Sequence, residues 1–369
     1  MYFLPPSPAR VPNVKMNDDP IPDVRKIKQD NTSGLMLSSG YGGGTANMEY
    51  MSFTGLAFNQ FSKSFQSPYV QLVQKQDKPE NITNQFKYKN AIHPYIGTFY
   101  NRASVYQKFG FQTFRNSTTS GNLALKYTDS VNGGTYISDD SAYKDALWQV
   151  DQHKGGQFIS LVTMQNHMSY DYDYPDNKFE VGGSATSTKN KRQLKNFARG
   201  LNLTDSATQS FIENINKIQK PITVVFYGDH LPGIYDGNDI SKNNVVEHET
   251  DYFIFSNKYA INHDNATKKM SDSTAITDPN GFIPLAYKQM GQKVTPFYAM
   301  LTRIQEDTPA MSKCTVGGSE SLYVNKKTGK KVSYHNLTSK QKELLNDYKL
   351  IQYDLTVGKG YSLQDGFTK

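Results

Sequence analysis

Short apolar runs alternate along the chain with longer stretches whose apolar residues have the spacing of an α-helix. The runs of strand length lie at residues 35–38, 157–164, 222–227 and 251–256. This alternation is typical of βαβ units, in which helices connect the strands of a parallel sheet. We therefore predict an α/β fold with a mostly parallel central sheet flanked by helices.

The helical stretches carry recognisable start signals. We predict helices over residues 141–153, 205–218 and 338–348. The second is expected to begin with Thr204 or Asp205 as its N-cap, because a short polar side chain there satisfies free backbone N–H groups. The third is expected to open at Thr338 or Ser339.

The composition is that of a folded protein. Of 369 residues, 37% are hydrophobic and 20% are charged, and no run reaches the roughly 18 apolar residues that span a bilayer. Residues 1–8 are too short and proline-rich for a signal peptide. We expect either a chain without a targeting segment or a fragment of a longer membrane protein. Cys314 is the single cysteine, so no internal disulfide is expected.

The net charge of +7 favours anionic partners. The lysines are scattered rather than gathered on one segment, so we expect no nucleic-acid partner. A membrane surface or a phosphate-bearing substrate fits this charge better.

A glycine-rich segment, SGYGGGTANMEY at residues 39–50, follows the first apolar run. The glycines permit a close backbone approach, and Thr45 falls at the first turn of the helix that follows. Free N–H groups at a helix start attract an anion, and a hydroxyl there is well placed to attack phosphorus. Spacing alone leaves an alternative equally open, in which the loop is flexible and Thr45 is only an N-cap.

A second cluster, FYGDHLPG at residues 226–233, ends the most apolar strand. Neighbouring residues of a strand point to opposite faces, so Asp229 and His230 share a target only if the strand has already ended. Gly228 before them and Pro232 after them indicate that it has. A carboxylate with an imidazole suits manganese or zinc. The alternative is a hydrogen-bonded Asp–His pair that caps the strand.

Two further segments carry candidate groups that are weak when taken alone. His167 directly follows the strand at 157–164 and is suited to bind a phosphate oxygen or to donate a proton. The segment HPYIGTFYNR at 93–102 combines His93, Tyr100 and Arg102, and the planar fork of an arginine suits phosphate.

In this order, the segments resemble the lipoteichoic acid synthase family of the alkaline phosphatase and sulfatase superfamily. The matching blocks are DPIPDVRKI from residue 19, GGGTANMEY from 42, VTMQNHM from 162, YGDHLPG from 227 and KLIQYD from 349. The resemblance implies a sulfatase-like catalytic domain over 19–300, a smaller C-terminal α+β subdomain over 301–369 on the same core, and an irregular or truncated edge over 1–18.

The resemblance also implies a reaction. Family members take glycerol phosphate from phosphatidylglycerol, hold it on a threonine, and pass it to a lipoteichoic acid chain or glycolipid anchor. They do so at the extracellular face of a Gram-positive membrane. We therefore expect a monomeric domain that acts at the membrane surface and uses one divalent metal ion, manganese or else magnesium.

The family pattern assigns roles to residues of this chain. Thr45 is implied as the catalytic nucleophile and a metal ligand, and Asp229 and His230 as further metal ligands. The substrate-binding residues implied by position are His93, Tyr100, Arg102 and His167.

Two departures from the family pattern keep other functions open. Tyr100 stands where relatives often have tryptophan. The metal-binding glutamate expected just before Arg10 is absent, and Glu49 lies too close to Thr45 on one helix to replace it with confidence. The alternatives are a phosphatase or sulfatase, the latter without its Cys/Ser-x-Pro-x-Arg motif, or an inactive remnant that binds anionic lipid head groups.

Overall fold

The computed structural model describes residue 11 and residues 14–183, 187–235, 240–270, 275–314 and 320–369. The strands are β1 (Lys15–Met16), β2 (Thr32–Leu37), β3 (Tyr88–His93), β4 (Thr113–Asn116), β5 (Gln157–Leu161), β6 (Val181–Gly182), β7 (Thr223–Tyr227), β8 (Glu249–Ser256), β9 (Ile276–Thr277), β10 (Ala310–Cys314), β11 (Glu320–Val324) and β12 (Lys331–Val332). The α-helices are α1 (Pro22–Asp30), α2 (Thr45–Thr54), α3 (Pro68–Gln71), α4 (Arg102–Lys108), α5 (Asp139–Val150), α6 (Thr188–Ile215), α7 (Ile240–Asn243), α8 (Lys258–His263), α9 (Phe282–Met290), α10 (Pro296–Asp307), α11 (Ser339–Thr356) and α12 (Tyr361–Gln364).

Two sheets position the strand ends that carry the candidate residues. One has the order β7-β8-β2-β9, and the other has the order β4-β3-β5 with every pairing parallel. The predicted α/β class is confirmed, and the parallel arrangement is found in the second sheet and between β2 and β9.

The strand predicted at 251–256 is present as β8, but its predicted parallel direction is wrong. It is antiparallel to both of its neighbours, β2 and β7. Its continuous apolar character reports burial on both faces, since α1 and α9 pack against it. Burial on both faces is usual for a parallel strand but does not fix the direction of an individual one.

The predicted helix starts are right for α11 and wrong for α6. Thr338 caps α11 through a reciprocal capping box with Gln341. Helix α6 begins much earlier than predicted, with Ser187 as its cap, so Thr204 and Asp205 lie inside it. The Asp205 carboxylate instead accepts hydrogen bonds from the backbone N–H groups of residues 23 and 24, at the start of α1.

The C-terminal elements share a core with α2. Phe53 of α2, Leu301 of α10 and Tyr348 of α11 belong to one cluster of buried apolar residues. The Gln352 side chain also exchanges two hydrogen bonds of 3.0 Å with the backbone of Ala57. This packing is compatible with the predicted boundary at 301, which stays a prediction.

The predicted N-terminal edge falls largely outside the described residues. Of residues 1–18, the structure describes residue 11 and residues 14–18, and β1 pairs there with β6. Across the part of the chain that the structure describes, no helix is long and apolar enough to cross a membrane.

Candidate active site

The glycine-rich turn delivers Thr45 to the first position of α2. Gly44 is the N-cap and has a φ of 107°, a left-handed conformation that favours glycine. A Cβ on Gly40 would lie 2.4 Å from the Gly43 carbonyl oxygen, so the turn closes tightly at that point as well. The prediction that Thr45 lies in the first turn of this helix is confirmed. Its hydroxyl makes no capping hydrogen bond, because Gly44 is the N-cap.

The same turn is fastened to the end of β7. The Gly42 N–H donates to the Leu231 carbonyl at 2.7 Å, and Tyr41 forms a parallel bridge with Leu231. The Ser38 hydroxyl donates to the Asp229 carbonyl at 2.6 Å. These contacts bring together two segments that lie far apart in the sequence.

Thr45, Asp229 and His230 consequently form one buried cluster. The Thr45 hydroxyl donates to Oδ2 of Asp229 at 2.6 Å, and Nε2 of His230 lies 3.4 Å from the same oxygen. Asp229 and His230 are 1% and 2% exposed. The His230 ring is oriented by a hydrogen bond of 2.8 Å between Nδ1 and the Leu231 carbonyl. Because a carbonyl only accepts, Nδ1 carries a proton, and the ring directs Nε2 toward Asp229.

This cluster has the donor set and the orientation of part of a metal site. Oδ1 of Asp229 is buried without a hydrogen-bond partner, which is costly for a carboxylate unless a cation satisfies it. A histidine that binds a metal through one ring nitrogen usually donates the other N–H to a carbonyl, as His230 does. Within the described ranges no three His, Cys, Asp or Glu side chains surround a common metal position. Thr45, Asp229 and His230 therefore fit a divalent ion as a set that contains one carboxylate.

Glu49 does not supply the missing carboxylate. It is fully buried on α2, and its oxygens accept hydrogen bonds from the Tyr69 hydroxyl at 3.0 Å and the Tyr106 hydroxyl at 2.7 Å. The same carboxylate forms an ion pair with Arg102. The Glu49 carboxylate is thus engaged with Arg102 and two tyrosine hydroxyls. The segment expected to carry the family's glutamate, just before Arg10, lies outside the described residues.

Arg102 is 1% exposed and is held on two sides. Its Nε lies 3.1 and 3.2 Å from the Glu49 oxygens, and its Nη2 also donates to Glu49. On the other side, Nη1 lies 3.2 Å from Nε2 of His93. Burial by itself lowers the pKa of Arg102, but Glu49, together with Tyr106 and Tyr69, raises it above the ordinary value.

His93 is buried and neutral. Burial, and then the charge of Arg102, lower its pKa well below the ordinary value. Nδ1 donates to the Val162 carbonyl at 2.8 Å, so Nε2 accepts from Arg102. Both ring nitrogens contact protein atoms, and the expected contact of His93 with glycerol stays a prediction.

His167 and Tyr100 interact with groups next to Thr45, namely the Asp229 charge and the Gly44 backbone. Burial lowers the pKa of His167, with Asp229 opposing the shift and His230 and Arg102 adding to it. Its Nδ1 donates to the Met168 carbonyl at 2.7 Å. Burial raises the pKa of Tyr100, and a hydrogen bond with the Gly44 backbone opposes that shift. The ring of Tyr100 lies 5.2 Å from the Arg102 guanidinium carbon.

The structure therefore places Asp229 against Thr45, Tyr100 against the Gly44 backbone and His93 against Arg102, and it adds residues that the sequence did not indicate. The sequence indicated Glu49 only as a weak substitute for a metal ligand, and it gave no indication of Tyr69, Tyr106 or Tyr136. One signal for Glu49 is in the sequence, since it is the one charged residue of α2 and lies between Met48 and Tyr50.

Comparison with known proteins places this geometry in a family. A family model for sulfatases matches residues 8–280. The chain belongs to the sulfatase family. Among solved structures, the phosphoglycerol transferase GacH of Streptococcus pyogenes, in complex with sn-glycerol-1-phosphate, is 33% identical. That match covers 100% of this chain and 87% of the other, with a TM-score of 0.84.

More distant relatives share the fold of this sulfatase-family chain. The lipoteichoic acid synthase LtaP of Listeria monocytogenes has a TM-score of 0.59 at 15% identity, over 98% of this chain and 90% of the other. The lipoteichoic acid synthase of Staphylococcus aureus strain USA300 is 25% identical over 47% of this chain and 25% of its own length. The resemblance inferred from the motifs is confirmed.

The chain spans about half the length of the first curated relative it matches. That relative, a Rhizobium meliloti protein named for the modification of cyclic β-1,2-glucan, is 27% identical over 98% of this chain and 54% of its own length.

Proposed function

We propose that this chain transfers glycerol phosphate from phosphatidylglycerol to an acceptor hydroxyl and holds it on Thr45 between the two steps. The observation that carries the proposal is the hydrogen bond of 2.6 Å from the Thr45 hydroxyl, at the start of α2, to Asp229, whose charge also acts on His167. The similarity to a phosphoglycerol transferase at 33% identity supports glycerol phosphate as the group that is transferred.

In the first step, Oγ1 of Thr45 bonds to phosphorus and the bond from phosphorus to the diacylglycerol oxygen breaks. Thr45 passes its proton along the hydrogen bond to Asp229, and the departing alkoxide takes a proton from water, so diacylglycerol leaves as an alcohol. The product is a phosphodiester between glycerol and Thr45. Arg102 and the free N–H groups at the start of α2 stabilise the negative charge on the phosphoryl oxygens.

In the second step, the acceptor hydroxyl attacks the same phosphorus and Thr45 regains its proton. His167 is suited to take the proton of the acceptor, because its lowered pKa and its Nδ1–H bond to Met168 favour a ring with Nε2 unprotonated. This split of one transfer into two steps is the usual course of covalent catalysis.

Thr45, Asp229 and His230 would hold the divalent ion, manganese or else magnesium. When bound, such an ion lowers the pKa of a coordinated hydroxyl and neutralises charge on the phosphoryl oxygens.

The acceptor we propose is a lipoteichoic acid chain or a glycolipid at the extracellular face of a Gram-positive membrane. A ring cluster around His167 offers apolar faces to such an acceptor. Tyr136 lies 5.8 Å and Phe99 6.1 Å from the His167 ring, and Tyr95 packs edge-on against both aromatic residues.

The test measures release of diacylglycerol from phosphatidylglycerol vesicles by the purified chain with Mn²⁺. We expect release by the wild type and none by Thr45→Ala. Thr54→Ala, at the other end of α2, is the matched control and keeps activity. Full activity of Thr45→Ala contradicts the proposal.

Two other outcomes identify the alternative functions. Steady release of free glycerol phosphate without an acceptor indicates a hydrolase. An inactive wild type that becomes active when a glutamate-bearing strand is added upstream indicates a remnant at this length.

A further inference from the structure

A buried network fastens Arg102 to the helix that carries the nucleophile. Glu49 lies four residues after Thr45, about one turn along α2. Its carboxylate is fully buried and binds Arg102, Tyr69 and Tyr106. An ion pair that is excluded from water persists only when its remaining hydrogen-bonding groups are satisfied, and both tyrosines do this for Glu49.

We propose that Glu49 is a positioning residue, which acts by fixing the Arg102 guanidinium relative to Thr45. The inference rests on the function proposed above, since it assigns Arg102 to the phosphate. Because Glu49 and Thr45 share one short helix, the nucleophile and the phosphate-binding cation are held as one rigid unit.

The geometry on both edges of the guanidinium supports this role. Glu49 occupies the edge formed by Nε and Nη2, and neutral His93 accepts from Nη1 at 3.2 Å. Because two edges of the Arg102 guanidinium are hydrogen-bonded, its plane is held in one orientation. A shift of about 1 Å in a positioned group costs on the order of a hundredfold in rate, so such anchoring matters for phosphoryl transfer.

Charge and burial also argue against the simplest alternative, that Glu49 is a metal ligand displaced in this structure. Its oxygens are occupied by a cation and two hydroxyl donors. The Asp229 oxygen without a partner lies in the other cluster, with Thr45 and His230.

A double-mutant cycle between Glu49 and Arg102 tests the inference. We expect Glu49→Gln to lower kcat/KM for diacylglycerol release about a hundredfold. Arg102→Met lowers it by at least as much, and the double variant is no worse than Arg102→Met alone. The affinity for Mn²⁺, measured by calorimetry without substrate, is unchanged in Glu49→Gln.

A milder variant covers the case in which Glu49→Gln fails to fold around an unpaired arginine. Tyr106→Phe keeps the ion pair and removes one donor to Glu49. It is expected to lower kcat/KM severalfold in the wild type and not at all in Arg102→Met. Tyr143→Phe, a buried tyrosine bonded to Thr208 at 2.9 Å, is the control and has no effect on kcat/KM.

The outcomes separate this inference from the proposed function. If the wild type releases no diacylglycerol, the proposed function fails. Two results with an active wild type would show that Glu49 does not act through Arg102. In one, Glu49→Gln and Tyr106→Phe have the kcat/KM of the wild type. In the other, each lowers kcat/KM in the Arg102→Met background by the same factor as in the wild type. Weaker Mn²⁺ binding by Glu49→Gln makes it a metal ligand instead.

Discussion

The two oxygens of the Asp229 carboxylate have different surroundings. Oδ2 accepts from the Thr45 hydroxyl at 2.6 Å, whereas Oδ1 is buried without a hydrogen-bond partner. An ionised carboxylate in that state is unfavourable without a cation. The residue thus links the proposed nucleophile to the proposed metal position.

Asp229→Asn is expected to weaken Mn²⁺ binding by about tenfold or more, because a neutral amide replaces the one carboxylate of the set. Calorimetric titration with Mn²⁺ measures the change. Asp278→Asn, another buried carboxylate, is the matched control and should bind Mn²⁺ as the wild type does. Equal affinity in Asp229→Asn and the wild type would remove Asp229 from the metal site.

Among single residues, the sequence indicated candidates that follow strands, and it gave no indication that Glu49, within a helix, contacts Arg102. Thr45, His167, Asp229 and His230 all stand just beyond a strand, where ligands of α/β sheets bind. Glu49 contacts Arg102 only through the packing of α2 against the segment before α4. That contact joins residues 53 positions apart, and no local pattern reports it.

Among the elements, the glycine turn before α2 sets the distance between Thr45 and the end of β7. A Cβ on Gly40 would lie 2.4 Å from the Gly43 oxygen and 3.2 Å from Cβ of His230. A Cβ on Gly43 would meet no atom within 4 Å. The two positions therefore form a natural pair for comparison.

Gly40→Ala is expected to lower the free energy of unfolding by about 1–3 kcal/mol, the usual cost of overpacking, and to displace His230. Gly43→Ala should stay within about 0.5 kcal/mol of the wild type. Denaturant unfolding and diacylglycerol release measure both effects. Equal behaviour of the two variants would show that the turn is not tightly closed.

The segment that carries His167 is fastened by a buried polar cluster around Asp139. The Asp139 N–H donates to the Gln165 side-chain oxygen at 2.9 Å. The Thr204 hydroxyl of α6 donates to the Asp139 carboxylate and accepts from the Asn166 side-chain amide at 2.7 Å. Burial raises the pKa of Asp139 to about 6. The folded state therefore binds a proton that the unfolded state has already released.

Because this pKa is raised on folding, Asp139 makes the protein less stable as pH rises from the ordinary aspartate value toward about 6. Asp139→Asn should remove that part of the pH dependence. Urea unfolding of the wild type and of Asp139→Asn at about pH 4.5 and about pH 7.5 gives the change in the free energy of unfolding between the two pH values for each protein. Comparing the two changes isolates Asp139, because the similar contribution of Asp205 is present in both proteins. An unchanged pH dependence in Asp139→Asn contradicts the assigned shift.

Local start signals gave the start of α11 correctly and that of α6 wrongly, and the errors arose where tertiary contacts decide. Thr338 opens α11 as predicted. Asp205 looked like a cap and is one, but for α1, which lies far away in sequence. Apolar content located β8, while its direction follows from pairing with β7 and β2.

Across the whole molecule, the C-terminal elements stabilise the end of α2 opposite Thr45. Gln352 pairs with both backbone groups of Ala57, and the Tyr348 hydroxyl donates to the Gly55 carbonyl at 2.5 Å. These backbone groups are buried, so losing their partners costs roughly 1–3 kcal/mol each.

Gln352→Ala is expected to lower the midpoint of unfolding of the whole chain, and not only of the C-terminal part. Trp148, the single tryptophan, lies on α5, outside residues 301–369. Its fluorescence and the far-ultraviolet circular dichroism should shift together in urea. Separate transitions would mean that residues 301–369 unfold independently.

The central claim is that Thr45 carries glycerol phosphate as a covalent intermediate. The most direct measurement is peptide mapping by mass spectrometry after the chain is incubated with phosphatidylglycerol and Mn²⁺ without acceptor and quenched in acid. The account predicts one glycerol-phosphoryl group on the peptide that contains Thr45, lost when an acceptor is added and absent from Thr45→Ala. Release of diacylglycerol with no such adduct, or an adduct on another residue, would contradict it.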